Sequence, residues 1–353
     1  MYRRALASIS ESRPRHQRGL TLIELMIALV IGLLIVAAMS VLFAGSSQSR
    51  REIELSADVN ENGRYALDVL SRELSQTGFY GSLVKPTAAT TTRVPTDMSA
   101  AAAMCLTGVS NLGAWKDSLT YDVLGLGSAA GANIDADPSC ITRKAGTDAL
   151  FIQRASTCAV GDLNCPAESN ADAYLQVSEC GTEYSATPIV LARGGSGSST
   201  FTLQTKTCAG TAAPKRKLVR RIYYISAANA LSYQDIPLSG ALPAPVVLVE
   251  NIEQMQIEYA FDTSSPADGT PDVFAAAPDP LAVPPTDWTQ VIGVRIWLLA
   301  RSSDPSRNTK NAASFVLGAD TTVSVAANAA GNPKRRVYST YISFITPKAR
   351  SES

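Results

Sequence analysis

From Leu25 to Ala44 the chain reads LMIALVIGLLIVAAMSVLFA, with no charged side chain and only Gly32 and Ser40 as interruptions. An apolar stretch of about 20 residues is what a helix needs to cross the hydrocarbon core of a bilayer. Arg3, Arg4, Arg13, Arg15 and Arg18, against the single Glu11, precede it. By the positive-inside rule they hold the N-terminus in the cytoplasm and put the bulk of the chain outside. Glu24 at the entrance of the run is the exception. An ionisable group at the centre of a bilayer costs at least about 2.5 kcal/mol and calls for a partner.

A secretory signal peptide has a shorter apolar core, about 7–15 residues, with its cleavage site on the far side. SVLFAGSS at 40–47 matches such a site weakly. The stronger boundary is on the near side, where Gly19 joins the basic leader to the apolar run. A cut after Gly19 would keep the whole apolar helix and make Leu20 the first residue.

RGLTLIELMIAL, residues 18–29, resembles the processing signal of the type IV pilin and pseudopilin family: a basic leader ending in glycine, an apolar residue, Thr-Leu-Ile-Glu, then an apolar helix. The resemblance implies that an inner-membrane prepilin peptidase cuts between Gly19 and Leu20 and methylates the Leu20 amine. It makes Glu24 the assembly carboxylate. Leu20 stands where the family often has Phe. Leu20 and Glu24 are four apart and share a helix face, so the amine freed at Leu20 of one subunit could pair with Glu24 of another as a registry device. The bland alternative, Glu24 reaching back to the interface, leaves Gly19 and the leader unexplained.

The helical pattern continues past the apolar run. Leu55, Val59, Ala66, Leu70 and Leu74 recur on one stripe, with Leu67 widening it, while Arg50, Arg51, Glu52, Asp58, Glu61, Arg64, Asp68, Arg72 and Glu73 fill the remainder. That is amphipathic spacing. From Leu20 to about Thr77 the helix would extend about 85 Å at about 1.5 Å per residue. Gly78 and Gly81 are stop signals, and Asn62-Gly63 is the expected point of bending or fraying. DVNENGRYALDVLSRELSQTGFYG, residues 58–81, is similar to the helix of PilW-type minor pilins, which also resemble the J-type minor pseudopilin of type II secretion. VENIEQMQIEYAFD and VRIWLLARSS resemble them more weakly.

Charge and histidine narrow the chemistry. Taking the leader's five Arg and one Glu from 31 basic and 31 acidic residues leaves 26 against 30, a balance of −4. No strong pull on nucleic acid follows. KRKLVRR at 215–221 reads as the solvated face of a strand rather than a phosphate site. The one histidine, His16, lies in the leader, so a processed chain has no Ser-His-Asp or Cys-His mechanism and no His-ligated zinc. ARGGSGSST at 192–200 lacks the lysine of a phosphate loop and reads as a turn. No cofactor or metal is called for, and the chain reads as a non-enzyme.

Cys105, Cys140, Cys158, Cys165, Cys180 and Cys208 all follow the helix. An even number in an oxidising compartment favours disulfides, and spacing does not choose their pairing. Cys158–Cys165, close in sequence, is the first candidate, with Cys180–Cys208 and Cys105–Cys140 behind it. Asp262, Asp268 and Asp272 could approach a calcium ion, but their spacing is not that of an EF-hand loop, and plain surface loops are favoured.

Strand patterns fall at 148–155, 173–179, 187–193, 200–206, 217–226, 246–262, 290–302 and 335–346, separated by loops at 262–288 and 302–333. Trp297 sits in a strand and reads as core, while Trp115 and Trp288 stand in loopier surroundings that do not decide between core and surface. The expected fold is α+β: a long N-terminal pilin helix, membrane-spanning in its first half and amphipathic in its second, packed on an antiparallel sheet with long loops. The expected division is leader 1–19, apolar helix 20–45, amphipathic helix 46–81, irregular segment 82–147 and β-rich head 148–353.

The resemblance implies a PilW-like minor pilin of a type IV pilus that helps initiate assembly in a tip complex and supports twitching motility or adhesion. Its partners would be the prepilin peptidase, other minor pilins, the major pilin, the inner-membrane assembly platform and a tip adhesin, with no specific nucleic acid. It would begin as a single-pass inner-membrane protein with a periplasmic head and end at the tip of the pilus fibre. Its rivals are a minor pseudopilin of type II secretion and a pilin-anchored adhesin or DNA-uptake module.

Overall fold

The computed structural model describes residues 19, 21–83, 104–119, 121–127, 140–197, 199–276, 288–319 and 321–344. Helix α1 runs unbroken over Leu22–Leu74, and the chain divides into two compact units, Met1–Glu54 and Leu55–Ser353. In the first unit the large apolar side chains from Leu22 to Phe43 are exposed. By length and composition α1 suffices to cross a membrane.

In the second unit, the head, α1 buries Leu55, Val59, Gly63, Ala66, Leu70 and Leu74. Their spacing of three and four residues makes one stripe along the helix. Gly78 and Gly81 beyond it have φ of 75° and 73°, the left-handed backbone that terminates a helix at little cost only for glycine.

Seven strands form the larger sheet: β1 (Val123–Leu126), β2 (Ala149–Ala159), β3 (Ala173–Val177), β4 (Ile189–Arg193), β5 (Lys215–Ile225), β6 (Ala230–Asp235) and β7 (Val246–Glu250). The order is β1-β2-β5-β3-β4, with β6 on β5 and β7 on β6. The length of β5 organises this arrangement. One edge of it pairs with β2 throughout, while on the other Lys215–Lys217 pair with β3 and Arg221–Ile225 with β6. The second sheet has β8 (Ile252–Phe261), β9 (Val273–Ala275), β10 (Val291–Ser306) and β13 (Asn332–Ser343) in the order β13-β10-β8-β9. β11 (Ala313–Leu317) and β12 (Thr321–Val325) form a separate hairpin. Two short α-helices, α2 (Leu112–Ser118) and α3 (Gly181–Tyr184), and two single-turn 3-10 helices at Val109–Asn111 and Trp288–Gln290 complete the described elements.

Several local expectations change. The pattern at 246–262 is two strands, broken at Asn251, whose φ of 62° turns the chain from the first sheet into the second. Asn tolerates that conformation better than most residues. The alternating stretch 200–206 is not a strand and has only the bridge Gln204–Ala212. The buried Gln176 side chain takes up its backbone instead, donating to the Leu203 and Ala213 carbonyls and accepting from the Leu203 N–H. β6 lacks clean alternation and escaped the sequence reading. It forms because Asn229, φ 59°, reverses the chain after β5. Within 82–147, expected to be irregular, lie α2 and β1, and within the expected loop 302–333 lies the β11–β12 hairpin.

Asn62-Gly63 does not fray, since α1 passes through it unbroken. A Cβ on Gly63 would clash with the Tyr338 ring of β13, nearest its Cε2. Alternate residues of β13 meet successive turns of the helix: Lys334 Nζ donates to Ser56 Oγ at 2.7 Å, and Arg336 Nη1 and the Tyr338 hydroxyl donate to Asn60 Oδ1 at 2.9 and 2.7 Å. The glycine is therefore a packing requirement. Gly63→Ala is expected to lose about 1–3 kcal/mol to overpacking, more than the roughly 1 kcal/mol that alanine gains in helix propensity. In a Tyr338→Ala background the same substitution should become neutral or stabilising. Urea midpoints of the four proteins check this, and an equal loss in both backgrounds would refute it.

The C-terminal end of α1 is clamped by charge. The Glu73 carboxylate accepts from Arg154 Nη2 of β2 at 3.4 Å, and from Arg221 Nη1 and the Tyr223 hydroxyl of β5 at 3.3 and 3.2 Å. Arg221 also donates from Nε to Asp235 at 2.8 Å and lies 3.8 Å from the Tyr233 ring centroid. Burial alone would lower the Arg221 guanidinium's pKa, but the hydrogen bond to Asp235 carries it above its ordinary value. Burial pushes the Tyr223 phenol up.

Candidate functional site

The start of α1 is a reciprocal cap. The Glu24 N–H donates to Thr21 Oγ1 at 3.3 Å, while the Thr21 N–H and hydroxyl both donate to Glu24 Oε2 at 3.0 Å. This is a capping box, which satisfies helix donors that otherwise have no acceptor. It also fixes where Glu24 sits: the carboxylate is folded back over the first turn. Thr21-Leu22-Ile23-Glu24 has the spacing of that motif, a signal that the sequence reading passed over in favour of the pair with Leu20. Gly19 is exposed, and a Cβ there would meet nothing within 4 Å. Leu20 and the leader 1–18 lie outside the described residues, so the structure does not place the Leu20 amine beside Glu24.

Three disulfides staple the head. Cys105–Cys140, Cys158–Cys165 and Cys180–Cys208 have Cα separations of 5.6, 5.5 and 5.1 Å. They leave no free cysteine among the described residues. Cys158–Cys165 closes the turn that follows β2, where Asp162 Oδ2 also accepts from the Ala159 N–H. Cys180–Cys208 ties the start of α3 to the segment that pairs with Gln176.

The basic strand 215–221 is only partly a solvated face: Lys217 is exposed, Lys215, Arg216 and Arg221 are half-buried and Arg220 is buried. Lys215 pairs with Glu168 at 2.5 Å and Lys217 with Asp172 at 2.8 Å. Arg216 donates to the Ser156 and Thr157 carbonyls. Arg220 is only 2 % exposed; it donates to the Leu106 carbonyl at 3.2 Å and stacks on Trp115 with its guanidinium carbon 4.3 Å from the ring centroid. Burial drops the Arg220 pKa to about 9. These side chains engage groups of the same chain, and the acidic partners and aromatic faces come from segments remote in sequence.

The aspartates of the β8–β9 connection serve their own loop. Asp262 accepts from the Gly269 N–H at 2.7 Å, Asp268 from the Thr270 N–H at 2.8 Å and Asp272 from the Thr263 N–H at 2.7 Å. The Thr270 hydroxyl and N–H hold the Asp268 carboxyl below its ordinary pKa, and the Thr263 N–H and hydroxyl do the same for Asp272. Among the described residues no group of three His, Cys, Asp or Glu side chains is placed to hold a metal. Of the tryptophans, the two left undecided by the sequence are core, and the one expected in the core is not. Trp115 and Trp288 are buried, Trp288 edge-on to Tyr259 at 4.9 Å. Trp297 is only half-buried, because its position in β10 alternates with the inward-facing Ile296 and Leu298.

A long apolar helix at the N-terminus followed by an antiparallel sheet domain with loops is the general pilin-like fold, and the chain is consistent with a structural protein of the type IV pilus and pilin superfamily. Two family models match it. The prokaryotic N-terminal methylation motif covers residues 14–40, and type IV pilus-assembly protein W covers residues 201–345. The second match spans β5 to β13 and leaves out residues 58–81, where the sequence resemblance to PilW-type helices was read. No curated protein and no solved structure matches the chain.

Proposed function

We propose that the chain is a minor pilin of PilW type, a non-catalytic subunit that is processed in the inner membrane, drawn into a type IV pilus and placed near its tip with other minor pilins to initiate assembly. The observation that carries this reading is the joining of two separately matched parts: a methylation-motif segment containing Gly19, Leu20 and Glu24, and a head whose second half matches the pilus-assembly W model. The apolar stretch of α1 would cross the membrane before assembly and lie among other subunits' helices afterwards. The amphipathic stretch from Leu55 holds the head. In the unassembled subunit the Thr21 box satisfies the Glu24 carboxylate. In the filament the methylated Leu20 amine of a neighbour would take that carboxylate, so the exchange costs little and sets the axial register.

The test is the intact mass and N-terminal sequence of the protein made with and without its prepilin peptidase. The expected mature form begins at Leu20 with one added methyl group, and Gly19→Asp keeps the whole leader in either host. A mature chain that starts upstream of Gly19, or one cut beyond Gly45, would remove the reading. Glu24→Val should be processed normally yet be absent from sheared filaments. Loss of surface motility with intact secretion assigns the pilus; the reverse assigns type II secretion.

A further inference from the structure

Lys144 and Asn229 lie 85 residues apart in the sequence, yet Lys144 Nζ donates to Asn229 Oδ1 at 2.7 Å. Both residues are half-buried. The backbone on each side is pinned. Lys144 N–H donates to the Ile225 carbonyl at 2.7 Å, and Arg143 bridges Ser226. Asn229, held at φ 59°, donates its N–H to Ser226 and accepts from the Ile252 N–H, each at 2.9 Å. The amine is also fixed from behind, since Nζ donates to the Glu253 carbonyl at 2.9 Å.

The charges around this amine favour a nucleophile. Burial lowers the Lys144 pKa; the Glu253 charge opposes this, and the Arg301 and Arg335 guanidiniums reinforce it. Glu253 itself stays ionised. Burial would raise its carboxyl, but Arg335, donating from Nε at 2.6 Å, carries it below the ordinary value. A lysine with a depressed pKa reacts as the free amine. Two groups held in contact react as though at very high concentration, with effective molarities of about 10⁵ M or more for well-oriented pairs.

We propose that Lys144 and Asn229 become joined by a side-chain amide, an intramolecular cross-link that forms without an external reagent. A rotation of the Asn229 carboxamide turns its carbon towards the amine. The bond from Lys144 Nζ to Asn229 Cγ forms and the bond from Cγ to Nδ2 breaks. The free Lys144 amine gives up one of its two protons to the departing nitrogen, which leaves as ammonia. Nothing is oxidised or reduced. The product ties the turn before β2 to the β5–β6 hairpin, and so adds a fourth closure to the head beside the three disulfides. It depends only on contacts within the head and not on the assembly reading.

Mass spectrometry of the purified full chain, reduced and denatured, tests this. The expected result is a chain lighter than its sequence by one ammonia, with a branched tryptic peptide that contains both Lys144 and Asn229 and no cleavage after Lys144. Lys144→Arg preserves the charge and hydrogen-bonding capacity and should restore the full mass. A wild-type chain of full mass whose Lys144 is cleaved by trypsin overturns the proposal. So does an ammonia loss that maps to a succinimide at Asn62-Gly63 instead.

Discussion

Replacing Glu73 by leucine is expected to lower the unfolding free energy of the head by about 3 kcal/mol, near the lower end for removal of one member of a buried ion pair because the site keeps some solvent. Three donors converge on the Glu73 carboxylate from two strands, and its side chain is 30 % exposed. Without it Arg221 keeps Asp235, but Arg154 and Tyr223 lose an acceptor inside the fold. The penalty is then that of stranded donors rather than the modest net worth of a hydrogen bond. Glu73→Gln retains an acceptor of the same shape and should cost clearly less. Urea unfolding followed by tryptophan fluorescence checks both. Equal midpoints for the leucine variant and the natural protein would mean that the clamp contributes nothing.

Leu70→Ala is expected to cost about 3–4 kcal/mol, within the range for leucine truncation in a packed core. Leu70 is fully buried, whereas Tyr65, on the same stretch of α1, is 54 % exposed. Tyr65→Ala should therefore change stability by no more than about 0.5 kcal/mol. The contrast tests which face of the helix the sheets cover. Comparable losses from the two substitutions would show that the buried stripe is misassigned.

Much of this architecture was legible in the sequence because it depends on local periodicity. The apolar run to Ala44 and the Leu55 to Leu74 stripe follow from a repeat near 3.6 residues, which any one helix must obey whatever surrounds it. The inward set of β8, Met255, Ile257 and Tyr259, and that of β10, Val294, Ile296 and Leu298, follow from a repeat of two. Thr21 and Glu24 carry the cap in their spacing. The failures are of another kind. Residues 200–206 alternate like a strand but find no partner strand, and β6 finds one without alternating, since pairing is decided by what the rest of the chain places alongside.

What the sequence determined by itself is the long helix, its exposed apolar beginning, its one buried stripe, the Gly19-Leu20-Glu24 signature and a β-rich head with an even set of cysteines. The tertiary structure alone decided which cysteines meet, that Gly63 packs against Tyr338, that Trp115 and Trp288 are core while Trp297 is not, and that the basic strand at 215–221 finds its partners within the same chain. The physical reason is the range of the interactions. Helix and strand periodicity is written in residues a few positions apart, whereas a disulfide, an ion pair such as Arg221–Glu73 or a ring over a glycine joins residues far apart in sequence, and only the closed fold sets their separation.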